Sequence, residues 1–194
     1  MASIEETDPG KARELTPESR AALESARAEF EQSLAKMPDN VEMLNRLGQT
    51  LARLNRHQEA IAAFEHAVSV APADARSHAN LARSAAALGE ASRAVEQYRE
   101  AARLLPDDFA TRYTLALALQ KNGEHAAAVP EFERAIALAP GDAGPHRAYA
   151  ASLEQLRRTG DAVREYRRYL EMRPAAPDAA GLRAHVESLI ASLR

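Results

Sequence analysis

The chain has 194 residues, 46% of them hydrophobic, with no Cys, no Trp and a formal net charge of −3. The missing cysteines exclude disulfides, thiol chemistry and cysteine-ligated zinc, and the slight acidity gives no footing for nucleic acid as a global partner, since such domains carry a basic excess. No stretch approaches the ~18 consecutive apolar residues of a membrane span, and the polar opening MASIEETDPGKARELTPESR lacks the apolar core of a secretory signal, which favours a cytoplasmic protein without membrane insertion.

The predicted elements run as follows. Residues 1–15 are expected to be disordered. Residues 16–37 read as one helix, with Thr16 as N-cap, Pro17 at the first helical position and Leu23, Ala26, Phe30 and Leu34 on one face. A second helix covers 41–54, where Leu44, Leu47, Leu51 and Leu54 recur at helical spacing. After a short polar turn, 58–70 form a third, with Ala60, Ile61, Phe64, Ala67 and Val68 inward. Pro72 ends it, because proline cannot continue a helix and pushes Ala71 away from helical geometry.

From here the chain repeats itself. Pro38, Pro72, Pro106, Pro140 and Pro174 are each 34 residues apart. The same step carries Ala26, Ala60, Ala94, Ala128 and Ala162, and the aromatic column Phe30, Phe64, Tyr98, Phe132 and Tyr166. Leu47, Leu81, Leu115 and Tyr149 run beside a small column of Gly48, Ala82, Ala116 and Ala150. The small residues let paired helices approach closely, and the aromatics fill the space between them. Such a period marks stacked units, none of which can bury its apolar face alone.

The pattern resembles the tetratricopeptide repeat over 41–74, 75–108, 109–142 and 143–176, about 70% of the chain. The family's usual Trp is Leu44, His78, Arg112 and His146 here, and the Gly of the small column survives only as Gly48. Residues 16–40 match only the second helix of a unit and form an N-terminal half-repeat. Residues 177–194 supply a C-terminal capping helix, with Asp178 as N-cap and a stripe of Leu182, Val186, Leu189, Ile190 and Leu193; charged Arg183, Glu187 and Arg194 lie off it. The resemblance implies an all-α, right-handed solenoid of antiparallel helix hairpins. Pro130 falls inside a predicted helix and is expected to bend it.

Chemistry is not legible in this chain. The six histidines, His57, His66, His78, His125, His146 and His185, form no zinc spacing. There is no glycine-rich phosphate loop and no Gly-x-Ser-x-Gly elbow. The reading is a non-enzymatic protein with no metal and no cofactor.

In the family, first helices line a concave groove. The resemblance assigns to that groove Asn45, Arg46, Gln49, Arg76, Asn80, Arg83, Tyr113, Thr114, Lys121 and Arg147, together with neighbours such as Glu42, Arg53, Ala79, Ala110, Leu117, Gly144, Ala148 and Ala151. Its charges are basic apart from Glu42, whereas Glu59, Glu65, Glu96, Glu100, Glu131, Glu133 and Glu165 fall on second helices. This predicts a positive groove on a negative back and an acidic peptide partner, with the Asn45–Arg76–Asn80–Arg83 cluster at its centre. The two-carboxylate clamp by which some relatives hold chaperone tails is not matched: its places are Asn45, Gln49, Asn80, Ala110 and Thr114, of which only Asn80 fits. The reading is an adaptor that is monomeric. Its alternatives are a scaffold dimerising through the terminal helices and a subunit that tethers an enzyme encoded elsewhere.

Overall fold

The computed structural model describes residues 15–193. The segment expected to be disordered, up to residue 14, and Arg194 lie outside the described residues. Within them the chain forms ten helices and no strand: α1 (Pro17–Lys36), α2 (Val41–Arg53), α3 (His57–Val70), α4 (Ala75–Ala87), α5 (Ala91–Leu104), α6 (Phe109–Lys121), α7 (His125–Leu138), α8 (Gly144–Gln155), α9 (Thr159–Met172) and α10 (Ala179–Ser192). The helix pairs α2/α3, α4/α5, α6/α7 and α8/α9 form hairpins. Each hairpin packs on the next, α1 covers α2 and α10 covers α9. This is an α-solenoid.

Each first helix begins and ends by a stated device. Asn40, Asp74 and Asp108 cap α2, α4 and α6, their side-chain oxygens accepting from the amides of Met43, Ser77 and Thr111 at 3.0, 3.2 and 2.7 Å. The equivalent amide is missing in the fourth unit, because Pro145 stands there. Asp142 instead accepts from the Gly144 amide at 2.8 Å, and α8 starts at Gly144. Thr16 caps α1 as the sequence predicts, accepting from the Ser19 amide at 3.2 Å. Asp178 precedes α10 but makes no side-chain cap bond. Its carboxylate is drawn to the Tyr169 hydroxyl at 3.0 Å and to Arg147 Nε at 2.9 Å.

The hairpin turn is the same in all four units. Asn55, Gly89, Gly123 and Arg157 sit at the same place of their units with φ of 62°, 80°, 79° and 58°. In each, the following amide reaches back to the last turn: Arg56 to the Leu51 carbonyl, Glu90 to Ala85, Glu124 to Leu119 and Arg158 to Leu153, all at 2.9 Å. These are Schellman caps, which require one left-handed residue.

The core follows the repeat columns. Phe64, Tyr98, Phe132 and Tyr166 are all buried, as are Ala82, Ala116 and Ala150. Gly48 shows why the column is small: a Cβ there would collide with the ring of Phe64. In α7, Pro130 leaves the Ala126 carbonyl without its helical donor, yet the helix runs unbroken through His125–Leu138, with both residues exposed.

The family's Trp place carries polar bridges here. Nδ1 of His78 lies 2.8 Å from Gln97 Oε1, Arg112 donates to Glu131 at 2.9 Å, and Nδ1 of His146 lies 2.7 Å from Glu165. Each pair spans 19 residues and joins the two helices of one hairpin. In the first unit the same two places are the apolar Leu44 and Ala63, both buried.

Candidate functional site: the face of the first helices

Among the described residues, α2 touches α4 and α6 touches α8, while no two second helices make comparable contact. At these two seams first helices stand closer together than second helices do, which puts the first helices on the inner side of the stack.

The structure sorts the ten predicted groove residues into three groups. Arg46, Gln49, Arg76, Arg83, Lys121 and Arg147 are exposed, and Tyr113 and Thr114 are half-buried. Asn45 and Asn80 are buried, at 1% and 4% exposure. Asn45 Nδ2 lies 2.7 Å from Ser77 Oγ, 3.2 Å from Asp74 and 3.1 Å from the Val41 carbonyl, and its Oδ1 accepts from Asn80 Nδ2 at 3.1 Å. Its donors and acceptor are used within the protein. Asn45, assigned to the groove from sequence, is therefore turned into the stack, where it bolts the first unit to the second. Asn80 shares that seam and holds Arg83, whose guanidinium donates to Asn80 Oδ1 at 3.3 Å. Burial raises Asp74, but the Ser77 hydroxyl and amide, Arg76 and Asn45 outweigh it and hold its carboxyl below the usual range.

The charges are also more balanced than composition suggests. Glu42 accepts from Arg46 at 2.8 Å and lies 3.5 Å from Arg76, and the Arg46 bond draws its carboxyl below the usual range. Arg147 is paired with Asp178. Among the described residues Arg53, Arg83 and Lys121 have no carboxylate within 4 Å. The acids of the second helices are spent locally as well: Glu59 on Arg56, Glu65 on Arg93, Glu100 on Arg103 and Glu131 on Arg112.

Two depressions open on this face. The larger, about 610 Å³, lies between the third and fourth units and the cap, lined by Tyr113, Leu117, Gly144, Ala148, Ala151 and Tyr169 among others. Tyr113 stacks on Phe109 at 5.7 Å and continues through Phe132 to Tyr149. A Cβ on Gly144 would lie 3.2 Å from the Tyr113 hydroxyl and 3.1 Å from Asp142 Oδ1, so a side chain there would crowd this wall. Tyr166, Tyr169 and Leu182 of this wall belong to α9 and α10. A search for groove residues on first helices passes over them, although the cap's apolar stripe contained Leu182. The smaller depression, about 340 Å³, lies between the first and second units and contains Gln49, Arg53, Asn80 and Arg83 with His57.

Among the described residues no group of three His, Asp or Glu side chains could hold a metal ion, and no helix is long and apolar enough to cross a membrane.

Residues 16–78, 59–109 and 79–143 match the family described as tetratricopeptide repeat. The chain belongs to the tetratricopeptide repeat family. The matched residues cover most of the chain and begin with the N-terminal half-unit. Solved tetratricopeptide repeat structures of similar fold include a crystal structure of MamA, with 22% identity, a TM-score of 0.75, and coverage of 81% of this chain and 92% of that one. MamA from Desulfovibrio magneticus aligns at 16% identity and a TM-score of 0.73, over 81% of this chain and 89% of that one. YrrB, a tetratricopeptide repeat protein with an unusual peptide-binding site, aligns at 17% identity and a TM-score of 0.70, over 81% of this chain and 84% of that one. At these identities the likeness is one of fold. No curated protein matches the chain.

Proposed function

We propose that this chain is a non-enzymatic adaptor that holds a segment of another protein against its first helices. Tetratricopeptide repeats generally serve protein–protein interaction, and the single observation that carries the assignment to this face is its shape. The 610 Å³ and 340 Å³ depressions are lined mainly by first-helix residues, with α9 and α10 closing the larger and α3 the smaller, and exposed Leu117 and half-buried Tyr113 offer apolar contact beside them. The peptide-binding site of YrrB belongs to that protein and supports the reading by analogy of fold. The preference for acidic segments rests on Arg53, Arg83 and Lys121, the first-helix cations that have no carboxylate within 4 Å among the described residues. Four units can bury an interface of about 1,200–2,000 Å² in total.

The test is comparative affinity capture from the source lysate with wild type, Leu117→Glu, Arg76→Glu/Arg83→Glu and Glu96→Lys. Proteins retained by wild type and Glu96→Lys but lost from both first-helix variants are the expected result. Proteins that stay on the first-helix variants and leave Glu96→Lys would assign the working face to the second helices.

A further inference from the structure

The two halves of the inner face are built on the same repeat places, so they can be compared residue by residue. At the seam between the third and fourth units, Gln120 reaches across, its Nε2 donating to the Ala148 carbonyl at 2.7 Å and to Ser152 Oγ at 2.9 Å. That hydroxyl also lies 3.4 Å from Nδ1 of His125. The seam is plugged and its polar atoms are paired. As Ala86 does at the seam between the second and third units, Ala52 occupies the position of Gln120 at the seam between the first and second. The plug is missing, and the 340 Å³ depression opens there. His57 is the counterpart of His125, and its Nδ1 is buried without a hydrogen-bond partner among the described residues.

The lining changes with the plug. Arg83 and Asn80 stand where the other seam has Ala151 and Ala148, and Gln49 stands for Leu117. Arg53 and Arg83 both line the opening, and neither has a carboxylate within 4 Å among the described residues. Arg83 is pre-positioned by Asn80 Oδ1 and lies beside the Tyr98 hydroxyl. The middle seam, between the second and third units, has Ala87, Ala91 and Leu117 at the places of Arg53, His57 and Arg83. One seam of three thus combines an open space, two uncompensated guanidinium groups and an unpaired histidine nitrogen. The larger depression lacks this combination: Asp178 takes its Arg147 and the Tyr169 hydroxyl, which leaves Arg173 as its one guanidinium with no carboxylate within 4 Å among the described residues.

We propose that the seam between the first and second units is a receptor for one carboxylate of the bound segment, held between Arg53 and Arg83 in the space that Ala52 leaves open. The guanidinium forks suit a planar carboxylate, which accepts two parallel N–H donors. The proposal rests on the adaptor reading and names which end of the groove takes the acidic residue. The segment runs with its acid over the first two units and its apolar residues over the Tyr113–Leu117 wall.

The test uses the full chain, labelled with ¹⁵N, titrated with three acetylated pentapeptides. Ac-AEAEA-amide carries side-chain carboxylates, Ac-AQAQA with a free C-terminus carries only the terminal one, and Ac-AQAQA-amide carries none. Shifts at Gln49–Arg53, His57 and Asn80–Ser84 with a carboxylate peptide, absent with the neutral one, are expected, and the responding peptide tells side chain from C-terminus. The Ala52→Gln variant, which supplies the plug, and Arg53→Gln/Arg83→Gln should each lose those shifts while keeping the wild-type spectrum elsewhere. Equal shifts with the neutral peptide, or shifts that survive in both variants, would overturn the receptor. Shifts confined to Tyr113–Lys121 and Gly144–Ala151 would also overturn it, while leaving the groove as the binding face. Shifts confined to the second helices would remove both readings.

Discussion

Arg157 is the residue whose backbone fits its place least well. Its φ of 58° puts a Cβ against the following carbonyl, which costs about 1–2 kcal/mol for a non-glycine residue. Gly89 and Gly123 hold the same place without that cost. Arg157→Gly should raise stability by about 0.5–1 kcal/mol, since glycine's extra freedom in the unfolded chain offsets part of the relief. Urea denaturation would show it as a higher midpoint at unchanged slope, and a lower midpoint would contradict the turn geometry. Gly48 works in the opposite sense. Gly48→Ala must displace the Phe64 ring and should cost about 1–3 kcal/mol as overpacking. Asp74 gives a pH dependence. Its carboxyl is held below the ordinary value, so its contribution is present above about pH 4 and is lost as pH falls through the lowered folded value. The urea midpoint should drop as pH is taken from about 5 to about 3, and Asp74→Asn should flatten part of that drop.

Within a hairpin, the unusual element is the polar bridge at the Trp place. Nδ1 of His146, buried at 7% exposure, faces Glu165 at 2.7 Å. Removing Glu165 alone leaves a buried polar ring without a partner, which costs about 1–3 kcal/mol. Replacing both residues with the pair the first unit already uses, His146→Leu with Glu165→Ala, should cost less than Glu165→Ala alone. Thermal unfolding of the single and double variants checks the order. The helices themselves were legible almost to the residue: 16–37 became Pro17–Lys36, 41–54 became Val41–Arg53, and 58–70 became His57–Val70. The apolar columns and Pro72 fixed those limits by local chemistry. The bridges were not legible, because His78 and Gln97 are 19 residues apart and only hairpin packing brings them together. The burial of Asn45 was missed for the same reason. Its place on the first helix is right, but its partners, Ser77 and Asp74, come from beyond its own hairpin.

For the whole molecule, the ends decide whether the stack stays single. The α10 stripe is turned inward at Val186, which is buried, with Leu182, Leu189 and Ile190 packed against the core, while Leu193 remains 57% exposed. The helix is further tied by His185 to Glu154 at 2.9 Å, a carboxylate that also accepts from the Tyr166 hydroxyl at 3.2 Å. Burial and that carboxylate push the Tyr166 hydroxyl up to about 12. A stripe used this way is a cover, so Leu189→Asp should lower the melting temperature of the chain. Light scattering of wild type should give the mass of one chain at every concentration. A dimer that Leu189→Asp converts into an equally stable monomer would instead make α10 an interface.

The first helices are proposed as the working face of this adaptor, and hydrogen exchange of the chain alone and with a captured partner tests that most directly. Slowed exchange in α2, α4, α6 and α8, strongest around the two depressions, is the expected result. Slowing confined to α3, α5, α7 and α9 would contradict it.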